Sequence, residues 1–447
     1  VNSSDARSLA LQTLLAVHKG AFTDIALDRT HNKHSLPDTD RRFLTELVYG
    51  CVRRLRTLDT LIDQLAKKPA HKQPPELRAT LHLGLYQLRY LTHIPPSAAV
   101  NTTVGLAKAN KFSGLSGFVN GLLRQYLRLS EHQDPLQLPT DPIQRLGMLH
   151  SYPDWIVETW IHEIGLEQTE QLCIALNQPP TLDLRINPLK CDRPILQQAL
   201  LTQGIESQPL PHLPQSLRLL SSPGSVRNLP GYAEGWWMVQ DASAQLVAHV
   251  VNPHPGATVL DLCAAPGGKT THLAELMQDQ GEIWACDRTA SRLRKVQQNC
   301  DRLQIQSIHL CLTDSRTLPP ELPMADYVLV DAPCSGLGTL HRHADARWRQ
   351  TPDTVQELAQ LQGELLTAAN QKVKPGGVLV YSTCTLHPKE NLDILTRFLE
   401  TNPDWTLENP EAPASDYFAE EEGYLTLWPH RTAMDGFFIA RLRHRKQ

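Results

Sequence analysis

From Trp236 onward the chain alternates between short apolar runs and helical stretches, and this alternation narrows the possible folds more than any other feature. The apolar runs lie at 258–262, 282–286, 308–312, 327–330 and 378–382, with helical stretches at 271–277, 291–303 and 355–373 between them. Strands this apolar are covered on both faces, and helices between them supply the crossovers that parallel pairing needs. The pattern predicts a Rossmann-like α/β domain over 236–447. A later apolar run, 436–442, is expected at or near the sheet edge. In a parallel sheet all the strand ends open on one crevice, which is where ligands bind.

Three of those ends carry unusual sequences. The first is Asp261-Leu262-Cys263-Ala264-Ala265-Pro266-Gly267-Gly268-Lys269-Thr270, a strand running through a glycine turn into a helix. Glycines let a ligand approach the backbone, and a helix start offers free N–H groups to a carboxylate or phosphate. The spacing is not that of a P-loop, because Cys263 stands where its first glycine belongs. Asp287 follows Asp261 by 26 residues and ends the second strand, where an acid accepts both ribose hydroxyls of an adenosine. A dinucleotide fold shares that acid, so it does not discriminate alone. Asp314 ends the third strand and is a candidate acceptor for an adenine amino group. The other two unusual ends are Val330-Asp331-Ala332-Pro333-Cys334-Ser335 and Tyr381-Ser382-Thr383-Cys384-Thr385, each an apolar strand closing in a turn with a cysteine. Taken singly, either thiol is more often a core residue than a catalyst, and Cys263, Cys286 and Cys311 read as packing thiols.

The nine cysteines are scattered and form no CxxC pair, which argues against a disulfide framework and a zinc knuckle. A chain of 447 residues is too long for one core. Residues 5–130 read as amphipathic helices, broken at Pro95-Pro96, with Arg53, Arg54 and Arg56 in one basic cluster. Residues 1–140 hold 18 Lys and Arg against 11 Asp and Glu, a net of +7, and the remainder holds 25 against 36, a net of −11. An arm for an anionic partner, with RNA first, and an ordinary solvated helical surface both fit that excess. Pro135, Pro139 and Pro142 mark a linker, and 141–235 read as a small α/β module with a half-buried strand at 182–187. Arg185 on that strand is either a phosphate contact or an exposed strand residue. No apolar run approaches the ~18 residues of a membrane span, and the amino terminus lacks a signal-peptide pattern. A cytoplasmic protein is expected.

Together, Asp-Leu-Cys-Ala-Ala-Pro-Gly-Gly-Lys-Thr, Asp-Ala-Pro-Cys-Ser-Gly and Ser-Thr-Cys resemble the RNA 5-methylcytosine methyltransferases of the Nol1/Nop2/Sun family. The resemblance covers nearly the whole chain, and the helical first part is similar to the antitermination factor NusB. It implies three domains: a NusB-like RNA-binding domain over 1–140, the small module over 141–235, and the methyltransferase over 236–447. It also implies S-adenosylmethionine as cofactor, held by Cys263, Ala264, Ala265, Pro266, Gly267, Gly268, Lys269, Asp287, Asp314 and Asp331. The NusB-like domain favours 16S rRNA as substrate over tRNA. A non-catalytic RNA-binding factor that keeps the fold is the rival from another class.

Cytosine C5 is a poor nucleophile, and a thiolate adding to C6 makes C5 electron-rich. Chemistry alone leaves open which cysteine attacks. The resemblance implies Cys384 as nucleophile, Cys334 in product release and Asp331 beside substrate N3 and the cofactor's methionine end. His341, Arg342, His343, Asp345 and Trp348 follow the Cys334 turn as candidates for the substrate path, with Ala344 where the family usually has Pro. Glu390-Asn391 and Asp435-Gly436-Phe437-Phe438 match further family segments, the phenylalanines as core residues. So does Asp241-Ala242-Ser243, for which a packing or capping role near the cofactor is expected.

Overall fold

The computed structural model describes residues 5–110, 112–221, 223–418 and 423–446. It separates into two compact units, Val1–Gln178 with Leu340–Arg349, and Pro179–Thr339 with Gln350–Gln447. Among the described residues no helix is long and apolar enough to cross a membrane.

The first unit is helical. Leu9, Leu14, Leu44, Leu47, Leu58, Leu61, Leu81, Leu85 and Leu123, at helical spacing along successive helices, meet in one buried cluster. Proline at the first turn starts the helices Pro75–Tyr90, Pro96–Ala109 and Pro142–His150. The last of these begins inside the expected linker, because Asp141 caps it by accepting from the Gln144 amide at 2.9 Å. It and the helix Asp154–Ala175 pack with the helical unit: the Thr57 hydroxyl donates to the Met148 carbonyl at 2.7 Å, and Arg56 donates to the Tyr152 carbonyl at 2.6 Å. The border of compactness therefore falls at residue 178 rather than at the proline-rich stretch.

The second unit holds two sheets. Strands β1 (Leu182–Ile186), β2 (Ser207–Pro209), β3 (Ser216–Leu219) and β4 (Trp237–Val239) form an antiparallel sheet in the order β2-β3-β1-β4. The large sheet contains β5 (Thr258–Asp261), β6 (Glu282–Asp287), β7 (Ile308–Leu312), β8 (Ala325–Asp331), β9 (Val373–Thr383), β10 (Trp405–Leu407), β11 (Tyr424–Leu427) and β12 (Phe437–His444). Its parallel part runs β7-β6-β5-β8-β9, and β12 joins antiparallel to β9. The late strand lies near the edge, as expected, with β10 and β11 pairing with its outer side along Leu442–His444 and Phe437–Ala440.

Alternate residues of the parallel strands enter different cores, as strand geometry requires. Val259, Leu329 and Val380 pack with the helix Ala242–Val251, whereas Leu260, Val328 and Leu379 pack with the helices Pro352–Asn370 and Leu392–Thr401. Both faces are thus covered. The chain leaves β5 towards β7 and then returns to β8 on the other side of β5, so strand order reverses between β5 and β8. That reversal leaves a crevice at the carboxyl ends of these two strands, beside Asp261 and Asp331.

Candidate active site

A cavity of about 220 Å³ opens at those strand ends. Of the residues expected to bind cofactor, Cys263, Ala265, Asp287, Asp314 and Asp331 line it, together with both candidate catalytic thiols, Cys334 and Cys384. Ala264, Pro266, Gly267, Gly268 and Lys269 stand behind this lining. Gly267 adopts φ +103°, a conformation that suits only glycine, and a Cβ there would lie 3.2 Å from Val296. It opens the helix Gly268–Leu276, whose amino end has no side-chain cap and is available to an anionic group.

The strand-end acids do different work. Asp287 is nearly buried; it accepts from the Thr289 amide at 2.8 Å and from Arg292 at 3.1 Å while still facing the cavity. Asp314 is more open and paired with Arg316 at 2.6 Å, whose hydrogen bonds hold its carboxyl down at about 2. Asp261 is fully buried and braces the loop from behind, accepting from the Thr270 hydroxyl at 2.7 Å. Burial pushes its carboxyl up to about 7, with nearby Asp331 adding to the effect.

The two thiols meet. Cys334 Sγ and Cys384 Sγ are 3.3 Å apart, although they end turns on different strands. Their loops are tied by the Ala332 amide donating to the Ser382 carbonyl at 2.9 Å and the Gly338 amide donating to the Cys384 carbonyl at 3.0 Å. Gly338 also lies against Gly436, where a Cβ would come within 2.0 Å of the Gly436 carbonyl oxygen. Asp331 is held by Lys269 Nζ at 2.7 Å and the Ser382 hydroxyl at 2.9 Å. Burial works against the Lys269 charge, but Asp331 and then Cys384 outweigh it and keep its pKa above the usual lysine value. The Cys334 thiol is pushed well up by its hydrogen bond with Cys384 and by burial, with the negative charge of Cys384 and Glu390 adding to the shift.

Two placements differ from the sequence reading. Arg185 is neither a phosphate contact nor exposed. It is fully buried, ion-paired with Glu275 at 2.7 Å, and donates to Gln240 at 2.6 Å, to Thr271 at 2.9 Å and to the Gly268 carbonyl. Through that carbonyl the small sheet grips the start of the cofactor-loop helix. The segment Leu340–Arg349 belongs to the helical unit rather than lining the cavity. There the His341 carbonyl accepts from Arg53 at 3.1 Å, Trp348 donates to the Val52 carbonyl at 2.8 Å, and Ala344 is fully buried. Glu390 and Asn391, matched but given no role by sequence, are buried beside the cysteine turns. Asp241 is a helix cap, accepting from the Ser243 amide at 2.8 Å, and both Phe437 and Phe438 are core residues.

Comparison with known proteins places these features. Residues 248–443 match the family model described as 16S rRNA methyltransferase RsmB/F. Residues 4–128 match the NusB family, and 152–227 match the RsmF/B-like ferredoxin-like domain. The probable ribosomal RNA small subunit methyltransferase B of Synechocystis sp. is 51% identical over 444 residues, covering 98% of this chain and 99% of its own. The chain belongs to the RsmB/F family of 16S rRNA methyltransferases. Among solved structures, PH0851 superposes with a TM-score of 0.80 at 28% identity, covering 99% of each chain. A second, described as NSun6 from Pyrococcus horikoshii with SFG, gives 0.60 at 25% identity and covers 67% of this chain and 100% of its own. RsmB/F enzymes are S-adenosylmethionine-dependent. The residues here fit that cofactor: an acid at the end of β6, a glycine turn with an uncapped helix start, and apolar walls from Leu262, Leu361 and Leu365.

Proposed function

We propose that this chain methylates C5 of a cytosine in 16S rRNA through a covalent bond between Cys384 and C6 of the base, and that it works in the cytoplasm. The observation that carries the reading is the meeting of two thiols from different strands, 3.3 Å apart, at a cavity that also contains Asp331. A disulfide-free pair at that distance, beside a lysine-held carboxylate, has little purpose in packing and a specific one in pyrimidine chemistry.

S-adenosylmethionine, when bound, supplies the methyl group as a sulfonium electrophile. Asp287 is placed to accept from ribose hydroxyls, Asp314 from the adenine, and the amino end of the helix Gly268–Leu276 to hold the carboxylate. Lys269 and Ser382 hold the Asp331 carboxyl group in place, suited to the exocyclic amino group of cytosine and to a proton shared with N3.

We assign the attack to Cys384 because the family resemblance implies it, and because the hydrogen bond with Cys384 and burial raise the Cys334 thiol, so that Cys334 holds its proton. The Cys384 thiolate adds to C6, and the ring electrons move to C5. Once C5 carries its methyl group, Cys334, having lost its own proton to water, takes the C5 proton. The C5–H electron pair re-forms the C5–C6 double bond, and the C6–S pair returns to Cys384. One proton is released per methyl transferred, and the two thiols regain their starting state.

The test is methyl transfer from labelled cofactor to protein-free 16S rRNA and to bulk tRNA, with the modified base mapped. Methylation of one 16S cytosine is expected. Transfer only to tRNA rejects the substrate, and cofactor binding without transfer to either RNA identifies a binding factor. For the thiols, Cys334→Ala is expected to trap an RNA–protein adduct that survives denaturation and Cys384→Ala to form none; the opposite pattern means the roles are exchanged.

A further inference from the structure

Two neighbouring buried residues that the mechanism does not use hold the two cysteine turns separately. Glu390 closes a short 3₁₀ turn, Pro388–Glu390, and Asn391 caps the helix Leu392–Thr401. Glu390 is fully buried, and its carboxylate accepts from the Ser335 amide at 2.9 Å and from the Ser335 hydroxyl. Gln362 donates to the same carboxylate at 3.0 Å and to the Pro333 carbonyl at 2.9 Å. Both residues that flank Cys334 are thereby fixed. Asn391 does the same for the other thiol: its Oδ1 accepts from the Thr383 hydroxyl at 2.6 Å and its Nδ2 donates to the Thr385 carbonyl at 3.0 Å. Both residues that flank Cys384 are thereby fixed.

We propose that Glu390 and Asn391 are the positioning residues of the reaction, Glu390 for Cys334 and Asn391 for Cys384. They act on different steps although they are adjacent in the chain. A thiol aimed at C6 and a thiol aimed at the C5 proton must each stay in register with a planar base, and a misplacement of about 1 Å in such a site is costly. One rigid peptide unit, anchored by the Tyr381 hydroxyl donating to the Glu390 carbonyl at 2.6 Å, sets both. The Ser335 and Thr385 hydroxyls, 2.7 Å apart, join the two halves of the brace. Burial lifts the Glu390 carboxyl above its ordinary range, against the bonds from Ser335, Gln362 and, more weakly, Thr385. A neutral acceptor at this position therefore preserves much of the arrangement.

The inference rests on the assignment of step to cysteine in the preceding subsection, and the experiment separates the two. Full-length Glu390→Ala, Glu390→Gln, Asn391→Asp, Cys334→Ala and Cys384→Ala are assayed on protein-free 16S rRNA with methyl-labelled S-adenosylmethionine, reading adduct and released product separately. Glu390→Ala is expected to mimic Cys334→Ala, with adduct accumulating and release slowed at least tenfold. Glu390→Gln, which keeps the acceptor for the Ser335 amide, releases RNA at least fivefold faster than Glu390→Ala. Asn391→Asp keeps the acceptor for Thr383 but turns the donor to Thr385 into a carboxylate oxygen that repels that carbonyl, and it mimics Cys384→Ala, with adduct formation slowed at least tenfold. In the Cys334→Ala background, Asn391→Asp lowers the trapped yield and Glu390→Ala adds no further effect. If Glu390→Ala does not fold, Ser335→Ala carries the same expectation. Equal loss of both steps in both variants overturns the pairing. A trapped adduct with Cys384→Ala in place of Cys334→Ala overturns the assignment of roles, while the mimicry of each cysteine by its own brace residue still decides the pairing.

Discussion

Replacing Arg185 by Met tests how the small sheet controls the cofactor loop. Arg185 and Glu275 are both fully buried and paired at 2.7 Å, and with Arg185 gone the Glu275 carboxylate keeps only the amide of Gln215 at 3.2 Å. Removing one partner of a buried ion pair costs ~3–5 kcal/mol, because the other charge stays in a low dielectric. The Gly268 carbonyl and the Gln240 side chain lose their donor as well, each worth about 1 kcal/mol. A loss of this size is a large part of the ~5–15 kcal/mol that holds a typical domain together. The stranded charge is the main cause, so Glu275→Gln in the Arg185→Met background should return about 2 kcal/mol or more.

The pH dependence gives a second arm. Burial already lifts the Glu275 carboxyl above its ordinary value, against Arg185, and without Arg185 it rises further. An acid whose folded pKa is raised contributes its stability at low pH and loses it as pH rises, since the unfolded chain gives up the proton first. The Arg185→Met deficit should therefore shrink between pH 7.5 and about 5.5. Buried His249 and His272 also feel Arg185, so the same comparison in the Glu275→Gln background isolates the carboxylate. Urea unfolding followed by fluorescence reads the stability, and calorimetric titration with S-adenosylmethionine reads the loop, where about a tenfold loss of affinity is expected. If Glu275→Gln returns nothing, or the deficit is equal at both pH values in both backgrounds, the buried pair is not what holds this loop.

Three further outcomes follow from other contacts. Gly338→Ala forces a Cβ against the Gly436 carbonyl, and it should cost ~1–3 kcal/mol in urea unfolding and reduce methyl transfer at least tenfold by moving the Cys334 loop. Asp287→Asn replaces a charged acceptor at the cavity with a neutral one, and titration should show cofactor affinity down about tenfold or more. His249 is held neutral by burial and then by Arg185, its pKa lowered to about 4. Its stability is therefore full above the ordinary value near ~6.5 and is lost as pH falls towards 4, by up to ~3 kcal/mol. His249→Leu should flatten the acid limb of a plot of melting temperature against pH, and an unchanged limb would assign the acid sensitivity elsewhere.

The parallel strands and the motif ends were legible because each is written in local chemistry: an apolar run, then glycine or cysteine in a turn. Features that depend on distant partners were not. Arg185 reads as a phosphate contact or an exposed strand residue because Glu275, which makes its burial tolerable, lies 90 residues away. β12 was legible as a strand near the edge, but the strands that cover it, Trp405–Leu407 and Tyr424–Leu427, are too short to show a period. The prolines before residue 142 read as a linker, yet Asp141 and Pro142 together make a capped helix start. Leu340–Arg349 follows the Cys334 turn so directly that sequence order suggested shared work, whereas its side chains are partners of the helical unit. Glu390 and Asn391 could be matched but not interpreted, since their role lies entirely in what they hold.

The order of the proposed chemistry is contained in the distance between the thiols. Two full negative charges 3.3 Å apart would repel by on the order of 5 kcal/mol at an effective dielectric of about 20. The doubly ionised pair is therefore disfavoured, and ionisation of one thiol opposes ionisation of the other. The hydrogen bond with Cys384 and burial raise the Cys334 thiol, so Cys334 is the member that keeps its proton. While this holds, the base needed for the last step is blocked. When Cys384 bonds to carbon it ceases to be an anion and a strong acceptor, and the largest influence raising Cys334 disappears. Cys334 can then ionise, and the thiolate it forms is basic enough to take the C5 proton. A second thiol placed farther off would lack this restraint, and the fraction of it ionised near its ordinary value of ~8.5 would be free to compete for C6 from the start. Close placement makes the first thiol's reaction the condition for the second's, and this is why both turns need a rigid and separate brace.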